Sequence, residues 1–574
     1  MKKISFDTIR NFLLGLPENT RILIFTIIYG SFAGSAAVLF MTLINLIYKY
    51  TYMVFAAQSL LFFLIASFLL ISGTSLIAGF LLFKFEPSAA GSGIPQLKAI
   101  YWKEVGFMTL RPVLVKFVGA ILNVAGGASL GREGPTVFIG GGIASNLSGF
   151  IGVPKRERRS AVVIGASAGL AAAFNAPLAA ITFILEEFVS NINNRFIGQV
   201  VLSSLIGAFM VFAFVGKQPA FILPSIDSIS ILHYLITPVV AILAALAGVI
   251  FQKSTLFLRG RMKRQKKIPA WLLPFFGGIL VWVIGSSVFC TTGRLGVFSL
   301  GYEDLSMILE NNIIWWVAGI MIVAKLAATV LSYSFGGCGG IFSPLLFIGG
   351  MCGYFIGGLA GLWLPVTPAD RIVLSAVGMS TCLGSVVRAP LTSLLIVFEM
   401  THQFDFIPGL MIGTFIGVII SNAFGKENFY DESLIQDGHD LIKVSPPLDL
   451  SSWHNLPISA ISNPKPVVIT DLSADYLKDI LEKHPYNCYP VLLDGEKKIK
   501  LIIREEIQAL IDGKEKPDMD NAVTCPPDKT VKEVGNKFIQ SPPGVIVLID
   551  KHNKSIVGIV TLHDLLRAQA SINE

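Results

Sequence analysis

The stretch PTVFIGG, residues 135–141, returns almost unchanged as PLLFIGG, residues 344–350, and this repetition decides the fold. By subtraction, the second copy lies 209 positions after the first. A second match follows in the same order, because NAPLAAITFILEE at 175–187 corresponds to RAPLTSLLIVFEM at 388–400, 213 positions later. Two matches in the same order and at nearly the same offset indicate a chain built from two related halves.

Both copies lie in sequence that is too apolar for an ordinary soluble protein. Of the 574 residues, 53% are hydrophobic and only 14% are charged. Several uncharged runs reach or exceed the roughly 20 residues that a helix needs to cross a hydrocarbon core. These runs are 22–47, 51–83, 196–216, 269–293, 326–369 and 406–425. The sequence therefore predicts an all-α polytopic membrane protein with an inverted repeat and broken helices.

The repeated stretches contain features that suit anions. In each half, a turn rich in Gly or Ser precedes a proline, Pro135 or Pro344, that fits the first position of a helix. A helix that begins inside the protein presents unpaired backbone N–H groups and the positive end of its dipole. A third turn, GSGIP at 91–95, adds the hydroxyl of Ser92. The three turns predict an anion site made of partial charges, which can bind an anion and still release it.

Aligning the halves separates two kinds of acidic residue. Glu186 aligns with another acid, Glu399, and we expect the two to share a structural task. Glu133 and Glu187 have apolar counterparts. Ionisable groups at membrane depth are costly and mark ion or proton paths, so this unmatched pair predicts proton handling. The alternatives are a favourable charge at a helix N-terminus for Glu133 and a charge at a cytoplasmic helix end for Glu187.

The tail differs in character from the rest of the chain. After a polar linker at 431–452, a strand–helix–strand–strand–helix pattern occurs twice, which predicts a cytoplasmic pair of small α/β domains at 453–513 and 514–574. Neither copy alone would bury much core, so we expect the two to pack together. The membrane domain is predicted at 21–430, with halves at about 21–220 and 230–430.

The remaining charge pattern suggests an orientation and limits the function. Residues 1–20 place Phe6, Ile9, Phe12 and Leu13 on one helical face and predict an amphipathic interfacial segment. Basic runs at 154–159 and 259–267 are expected to be cytoplasmic, and with them both termini. The six cysteines show no metal-site spacing, the basic runs lack the aromatic pattern of nucleic-acid modules, and no catalytic motif is present. We therefore expect no metal, no nucleic acid and no enzymatic activity.

Four motifs together resemble the CLC family of chloride channels and chloride/proton antiporters. They are GSGIP, GREGP at 131–135, GGIFSP at 339–344, and a tyrosine, Tyr430, just after the last predicted membrane helix. The resemblance covers roughly residues 20–435. It implies a homodimer in a lipid bilayer, in a plasma or inner membrane, with one pore in each subunit. A pair of CBS domains is a frequent tail in this family, which fits the predicted C-terminal repeat.

The resemblance also implies the anion-binding residues. Carried over onto this sequence, Ser92 and Tyr430 would bind the anion through their hydroxyls. Ile341 and Phe342 would bind it through backbone N–H groups, with Gly134 beside them. Ser92 favours chloride, because a proline at this position would resemble nitrate-preferring relatives. Fluoride is not expected, because fluoride exporters depart from the GREGP and GSGIP patterns.

Two glutamates would handle the proton. The resemblance implies that Glu133 is the external gating glutamate and Glu187 the internal proton glutamate. Glu187 stands where channels of the family usually have an apolar residue, which favours a chloride/proton antiporter. A passive voltage- or pH-gated chloride channel is the alternative, and a nucleotide sensor is a third hypothesis. The neighbouring Arg132 receives no role from the sequence.

The end of the tail carries one further motif. GIVTLHDLL, residues 558–566, resembles the closing motif of CBS domains, and the resemblance implies that Thr561 and Asp564 hold an adenosine ribose. The first copy departs from this pattern, since the aligned residues are Ile503 and Glu506. The sequence leaves open an adenine-nucleotide site and a purely structural dimerising tail. No cofactor is expected to be required.

Overall fold

The computed structural model describes residues 15–154, 158–188, 194–216, 220–221, 223–224, 230–439, 456–493, 499–513, 516–550 and 555–571. The chain forms two compact units, Met1–Val444 and Ser445–Glu574. Within the described ranges, nine helices of the first unit are long and apolar enough to cross a membrane. The predicted amphipathic face of Phe6, Ile9, Phe12 and Leu13 lies outside the described residues.

The first unit is helical throughout, and its helices fall into two sets. The first set is α1 (Glu18–Ala56, with a π-helical turn at Lys49–Met53), α2 (Leu60–Phe85), α3 (Ile94–Lys103), α4 (Leu110–Ala125), α5 (Glu133–Ile151), α6 (Arg158–Phe174), α7 (Pro177–Phe183, followed by a π-helical turn at Ile184–Phe188) and α8 (Asn194–Phe214). The second set is α9 (Leu232–Arg264), α10 (Leu273–Thr292), α11 (Tyr302–Leu309), α12 (Trp315–Ser334), α13 (Phe342–Ala360), α14 (Pro368–Val387), α15 (Pro390–Thr401) and α16 (Ile407–Phe424). A short helix, α17 (Phe429–Gln436), ends the unit.

The two sets correspond helix by helix. Helices α5 and α13 have 19 residues each and begin 209 positions apart. Helices α8 and α16 begin at Asn194 and Ile407, which are 213 positions apart. The difference of four residues arises between the end of α13 and the end of α14. The predicted helical fold of two related halves is confirmed.

Contacts between the halves are reciprocal, as a two-fold relation requires. Gly131 and Gly340, equivalent by the repeat, exchange two backbone hydrogen bonds, with N–H to O=C distances of 2.7 and 2.6 Å. The carboxylate of Glu399 accepts the first N–H groups of α7 at 3.0 and 2.8 Å. The carboxylate of Glu186 accepts the equivalent N–H groups of α15 at 3.1 and 2.9 Å. The expectation that these two acids share a structural task is confirmed.

Small residues allow the central helices to approach closely. Helix α5 packs on α6, and α13 packs on α14. At the first crossing, a side chain on Gly140 would overlap the carbonyl oxygen of Gly165. At the equivalent second crossing, a side chain on Gly349 would overlap the carbonyl oxygen of Gly378. Glycine at such crossings is typical of membrane helix pairs, in which close packing replaces the hydrophobic effect as the driving force.

The second unit contains two small sheets with helices. Its elements are α18 (Ala474–Lys483), β1 (Cys488–Val491), β2 (Lys500–Ile503), α19 (Arg504–Ile511), β3 (Asp520–Asn521), β4 (Val523–Cys525), α20 (Val531–Ile539), β5 (Val545–Ile549), β6 (Ile556–Thr561) and α21 (Leu562–Ser571). Strands β1, β2 and β3 form one antiparallel sheet. In the other sheet, β5 pairs with β4 in parallel and with β6 in antiparallel fashion.

The two predicted domains of this unit share structural elements. Strand β3 comes from the segment assigned to the second domain, but it pairs with β2 of the first. Conversely, Asn463 of the first domain exchanges backbone hydrogen bonds with Ile559 of β6, at 2.9 and 3.1 Å. Each copy therefore supplies a backbone segment that bonds to a strand of the other copy, which explains why the two copies occur together.

Two local expectations differ from the structure. The first strand of the repeated pattern in the tail, predicted from KPVVIT at 465–470, is reduced to a single bridge between Ile469 and Val491. The linker predicted at 431–452 begins later, because α17 continues to Gln436. Asn428 caps this helix, with its Oδ1 accepting the N–H of Asp431 at 2.8 Å, so the polar residues after 430 form a capped helix.

Candidate functional site

The three predicted turns meet at one place in the first unit. Backbone bridges join Gly91 to Cys338 and Gly131 to Gly340, so the turns before α3, α5 and α13 are held together. Gly134, in the first turn of α5, lies so close to Ser92 that a side chain there would overlap the Ser92 hydroxyl. The N-termini of α3 and α5 therefore contact each other directly, as the sequence-predicted site requires.

Two buried hydroxyls, those of Ser92 and Tyr430, face this meeting point. Both residues have no exposed surface; Ser92 lies against Gly134 at the start of α5, and the Tyr430 ring lies 6.4 Å from the Phe342 ring at the start of α13. Neither oxygen makes a hydrogen bond of acceptable geometry with any described residue. Leaving a buried hydroxyl unpaired is costly, so such groups are normally satisfied by a partner. Two unpaired hydroxyls at one point are suited to donating to a bound anion.

The start of α13 adds backbone donors. Ile341 is the N-cap residue and Phe342 the first residue of this helix, and each is 1% exposed. Within the described residues, no acceptor meets the N–H group of either one. The Phe342 ring contacts the rings of Phe183 and Tyr430, with centroids 5.6 and 6.4 Å apart. Aromatic packing thus fixes the helix start beside the Tyr430 hydroxyl.

Glu133 is buried and reaches across to α13. Although it begins α5, its Oε2 accepts the N–H of Ser343 at 3.4 Å, and its Oε1 accepts the Ser343 hydroxyl. The Tyr302 hydroxyl donates to the same Oε1 at 3.0 Å. The carboxylate therefore lies at the N-terminus of the other half's helix and satisfies donors there, as a free anion would. This geometry goes beyond the alternative of a charge that only stabilises its own helix.

Arg132 supports this arrangement from the side. Its guanidinium lies 5.5 Å from the centre of the Tyr302 ring, and its Nη1 donates to Asn45 Oδ1 at 3.0 Å. A cation over an aromatic face is attractive, so Arg132 orients the tyrosine that bonds to Glu133. Tyr302 could not be predicted as a partner of Glu133 from the sequence, because the two residues are 169 positions apart.

Glu187 lies in the π-helical turn after α7, and its side chain is only 3% exposed. Its Oε1 lies 2.9 Å from the Lys98 ammonium, and its Oε2 accepts the Asn428 amide at 3.1 Å. It is therefore a buried, fully bonded carboxylate and not a solvated helix end. Its partner Asn428 caps α17, the helix that carries Tyr430.

Two buried lysines are related by the repeat. Lys116 in α4 and Lys325 in α12 are 209 positions apart, and neither has exposed surface. Lys116 donates to the carbonyl oxygen of Gly91 at 2.7 Å, beside the Ser92 turn, and Lys325 donates to that of Ser299 at 2.7 Å. Each ammonium holds a loop in place, and among the residues that the structure describes no carboxylate lies within hydrogen-bond distance of it. The equal offset was the signal that could have identified them.

A cavity of about 730 Å³ opens onto the Ser92 turn. Gly91 and Gln96 belong to its lining, and the charged side chains that line it are three basic and three acidic ones. The cavity therefore reaches the turn that carries Ser92, and the formal charges of its lining balance.

In the second unit, Thr561 and Asp564 bond to each other. The Thr561 hydroxyl donates to Asp564 Oδ2 at 2.7 Å, and the Asp564 N–H donates to the Thr561 hydroxyl at 3.2 Å. The pair caps the start of α21. In the first copy, Ile503 and Glu506 lie at the start of α19 and make no such pair within the described residues.

Together the fold and the site define a class of protein. A helical membrane domain made of two related halves, with helix N-termini meeting buried hydroxyls where the halves join, is the architecture of a secondary transporter. Comparison with known proteins narrows the class. The profile described as "Voltage gated chloride channel" matches residues 74–422, and the CBS domain profile matches 518–571. The chain belongs to the voltage-gated chloride channel family, the CLC family.

Individual relatives are similar over most of the chain. The protein named "H(+)/Cl(-) exchange transporter ClcA" from Vibrio cholerae serotype O1 is 30% identical over 450 residues, which are 76% of this chain and 93% of the relative. The crystal structure of a slow cyanobacterial Cl−/H+ antiporter aligns with a TM-score of 0.64 at 21% identity, over 73% of this chain and 97% of that one. A eukaryotic CLC transporter aligns with a TM-score of 0.62 at 20% identity, over 94% of this chain and 98% of the other. These two structures have the same fold.

Proposed function

We propose that this chain is a secondary active antiporter that exchanges chloride for protons across a membrane. The observation that carries the proposal is the position of Glu133. Its buried carboxylate bonds to donors at the start of α13, next to backbone N–H groups that no described residue satisfies. An ionised glutamate there is a tethered anion, and it competes with a free anion for the same donors.

Chloride is the anion that this site suits. Its donors are the hydroxyls of Ser92 and Tyr430 and the N–H groups of Ile341 and Phe342, which carry only partial charge. Partial charges stabilise a monovalent anion enough to bind it and still allow it to leave. The ammonium groups of Lys116 and Lys325 are bonded to backbone carbonyls, so they do not bind the anion directly.

Competition between Glu133 and chloride links the anion to the proton. A protonated Glu133 has lost the charge that holds it at the start of α13, so chloride can replace it. When the proton leaves, the carboxylate returns and displaces chloride. Glu187 is the second buried carboxyl group, it bonds to the cap of the helix that carries Tyr430, and it would exchange protons with Glu133.

The relatives support an antiporter over a passive channel. The ClcA protein is named an exchange transporter of protons and chloride, and the cyanobacterial neighbour is described as a Cl−/H+ antiporter. Glu187 adds support from within the chain, because a buried carboxylate with two donor partners is an expensive feature that a passive anion pore does not need.

Chloride-driven proton movement tests the proposal. Purified protein in proteoliposomes would be given a chloride gradient, and we expect protons to move uphill as chloride runs down. Glu133→Gln should still pass chloride but move no protons, since the side chain can no longer release or take up a proton. Glu310→Gln, which changes an exposed acid, is the matched control and should behave as the wild type. Proton uptake that survives in Glu133→Gln would overturn the assignment.

Three further features belong to the same proposal. A homodimer with one pathway in each subunit follows from family membership, and crosslinking in membranes would test it. A cytoplasmic location of both termini follows from the basic runs at 154–159 and 259–267, and protease protection in oriented vesicles would test it. An adenine nucleotide at Thr561 and Asp564 would require the capping pair to accept hydrogen bonds from a ribose as well.

A further inference from the structure

A charged triad surrounds the inner carboxylate. The Lys98 ammonium on α3 lies 2.9 Å from Glu187 Oε1 and 2.8 Å from Asp431 Oδ1 on α17. One lysine is thus shared by two carboxylates from different parts of the chain. The second oxygen of Glu187 is satisfied by the amide of Asn428, which also belongs to the α17 cap.

The triad leads from solvent to the interior. The side chain of Asp431 is 26% exposed, that of Lys98 is 12% exposed and that of Glu187 is 3% exposed. Water therefore reaches Asp431 most readily, and Glu187 contacts the charged groups behind it. The elements that meet here also hold the anion-binding hydroxyls, since Lys98 shares the α3 segment with Ser92 and Asp431 directly follows Tyr430.

Counting charges shows why two carboxylates are needed. With all three groups ionised, the triad carries minus one, and a proton on Glu187 brings it to zero. Without Asp431, the same proton would take a neutral pair to plus one, which leaves an unpaired buried ammonium. Without Lys98, protonating Glu187 would remove the repulsion between the Glu187 and Asp431 carboxylates. Buried net charge is costly, so the proton affinity of Glu187 differs strongly among these three arrangements.

We propose that Lys98 and Asp431 are positioning residues that set how readily Glu187 takes up a proton: Asp431 keeps the Lys98 ammonium paired while Glu187 is neutral. This inference rests on the proposed antiport and names the groups that tune its inner proton site. Neither residue is one of the proposed chloride-binding residues. Both act through Glu187.

Other neighbours of Glu187 do not change the count. Asn428 is neutral, and the Tyr430 hydroxyl faces the anion site. Glu186, on the same turn, is bonded to the start of α15. Helix α6 also packs against this turn, but its two arginines, Arg158 and Arg159, bond to backbone carbonyls elsewhere.

The test is the pH dependence of chloride-driven proton uptake in proteoliposomes, compared across four proteins. Asp431→Asn should shift the profile to lower pH, and Lys98→Met should shift it to higher pH. Each shift should be about one unit or more, because a charge within about 4–6 Å changes proton affinity by roughly 1–3 units. The double variant Lys98→Met/Asp431→Asn restores the step from minus one to zero, and its profile should return to that of the wild type.

A matched control lies at the other end of α17. Asp437 is paired with Arg259 and Lys263 and does not contact Glu187, so Asp437→Asn should give the wild-type profile. If the triad only held α3 to α17, both single variants would lose rate without opposite shifts, and the double variant would be worst. That result, or superimposed profiles, would overturn the inference. A wild-type protein that moves no protons would instead overturn the proposed function, and this inference with it.

Discussion

Removing the Tyr302 hydroxyl should strengthen chloride binding. This hydroxyl donates to Glu133 Oε1 at 3.0 Å. It stabilises the ionised carboxylate in the position that competes with chloride, but it contacts none of the proposed anion donors. Tyr302→Phe should therefore favour chloride over the carboxylate.

The magnitude follows from the bond that is lost. A hydrogen bond to a charged group contributes about 1.5–3 kcal/mol. About 1.4 kcal/mol corresponds to a factor of ten in an equilibrium constant. Because the tethered carboxylate and chloride exclude each other, the whole effect appears in the apparent chloride dissociation constant. We expect Tyr302→Phe to lower that constant by roughly ten- to 150-fold.

Titration calorimetry with chloride on purified protein measures this directly. The matched control is Tyr354→Phe on α13, whose hydroxyl contacts Asn311 Oδ1 at 2.9 Å and the carbonyl oxygen of Ile313 at 2.7 Å, away from Glu133. The control removes a buried hydroxyl of the same kind and should leave the chloride dissociation constant unchanged.

Two results would refute the reasoning. The first is a folded Tyr302→Phe protein whose chloride affinity equals that of the wild type or is weaker. The second comes from a double-mutant cycle. In a Glu133→Ala background, the tyrosine has no carboxylate to stabilise, so adding Tyr302→Phe should change nothing. A further large change there would mean that Tyr302 acts on the anion site by another route.

Other predictions test the fold and the tail. Glu186→Gln and Glu399→Gln should each destabilise the protein by about 1.5–3 kcal/mol, as measured by thermal unfolding, because each weakens an equivalent helix cap; clearly unequal losses would contradict the two-fold relation. Gly140→Ala should abolish a monodisperse gel-filtration peak, whereas Gly73→Ala, with open space around it, should keep one; normal assembly of both would refute the packing argument. Thr561→Ala should cost about 1 kcal/mol as a lost helix cap and should abolish adenine-nucleotide binding by the full chain in calorimetry; binding that survives would place the nucleotide elsewhere.

What the sequence could predict depended on repetition. Glu186 and Glu399 were assigned a common task because both occur at the same place in each half, and their reciprocal bonds show what that task is. The same comparison isolated Glu133, because Phe342 stands opposite it. Alignment of the halves could also have paired Lys116 with Lys325, because these residues are separated by the same offset of 209.

Contacts that have no counterpart in the other half could not be predicted from the sequence. Lys98 and Asp431 are 333 positions apart, and nothing in either local pattern indicates that they share a partner. Tyr302 likewise reaches Glu133 only through the folded arrangement of the two halves. In the tail, the predicted strand near Ile469 does not form for a different reason, because only Ile469 pairs with a residue of a neighbouring strand, Val491.

The bonded pair of Gly131 and Gly340 has a consequence for direction. Because these equivalent loops meet, whatever follows them in sequence is brought to the same small volume from opposite sides. A glutamate in both halves would place two like charges there, each competing for the other's helix. With Glu133 in one half and Phe342 at the equivalent position of the other, only one half contributes a group that can take up a proton. The repeat is therefore asymmetric where its two copies are bonded, and an asymmetric site can treat the two directions of transport differently.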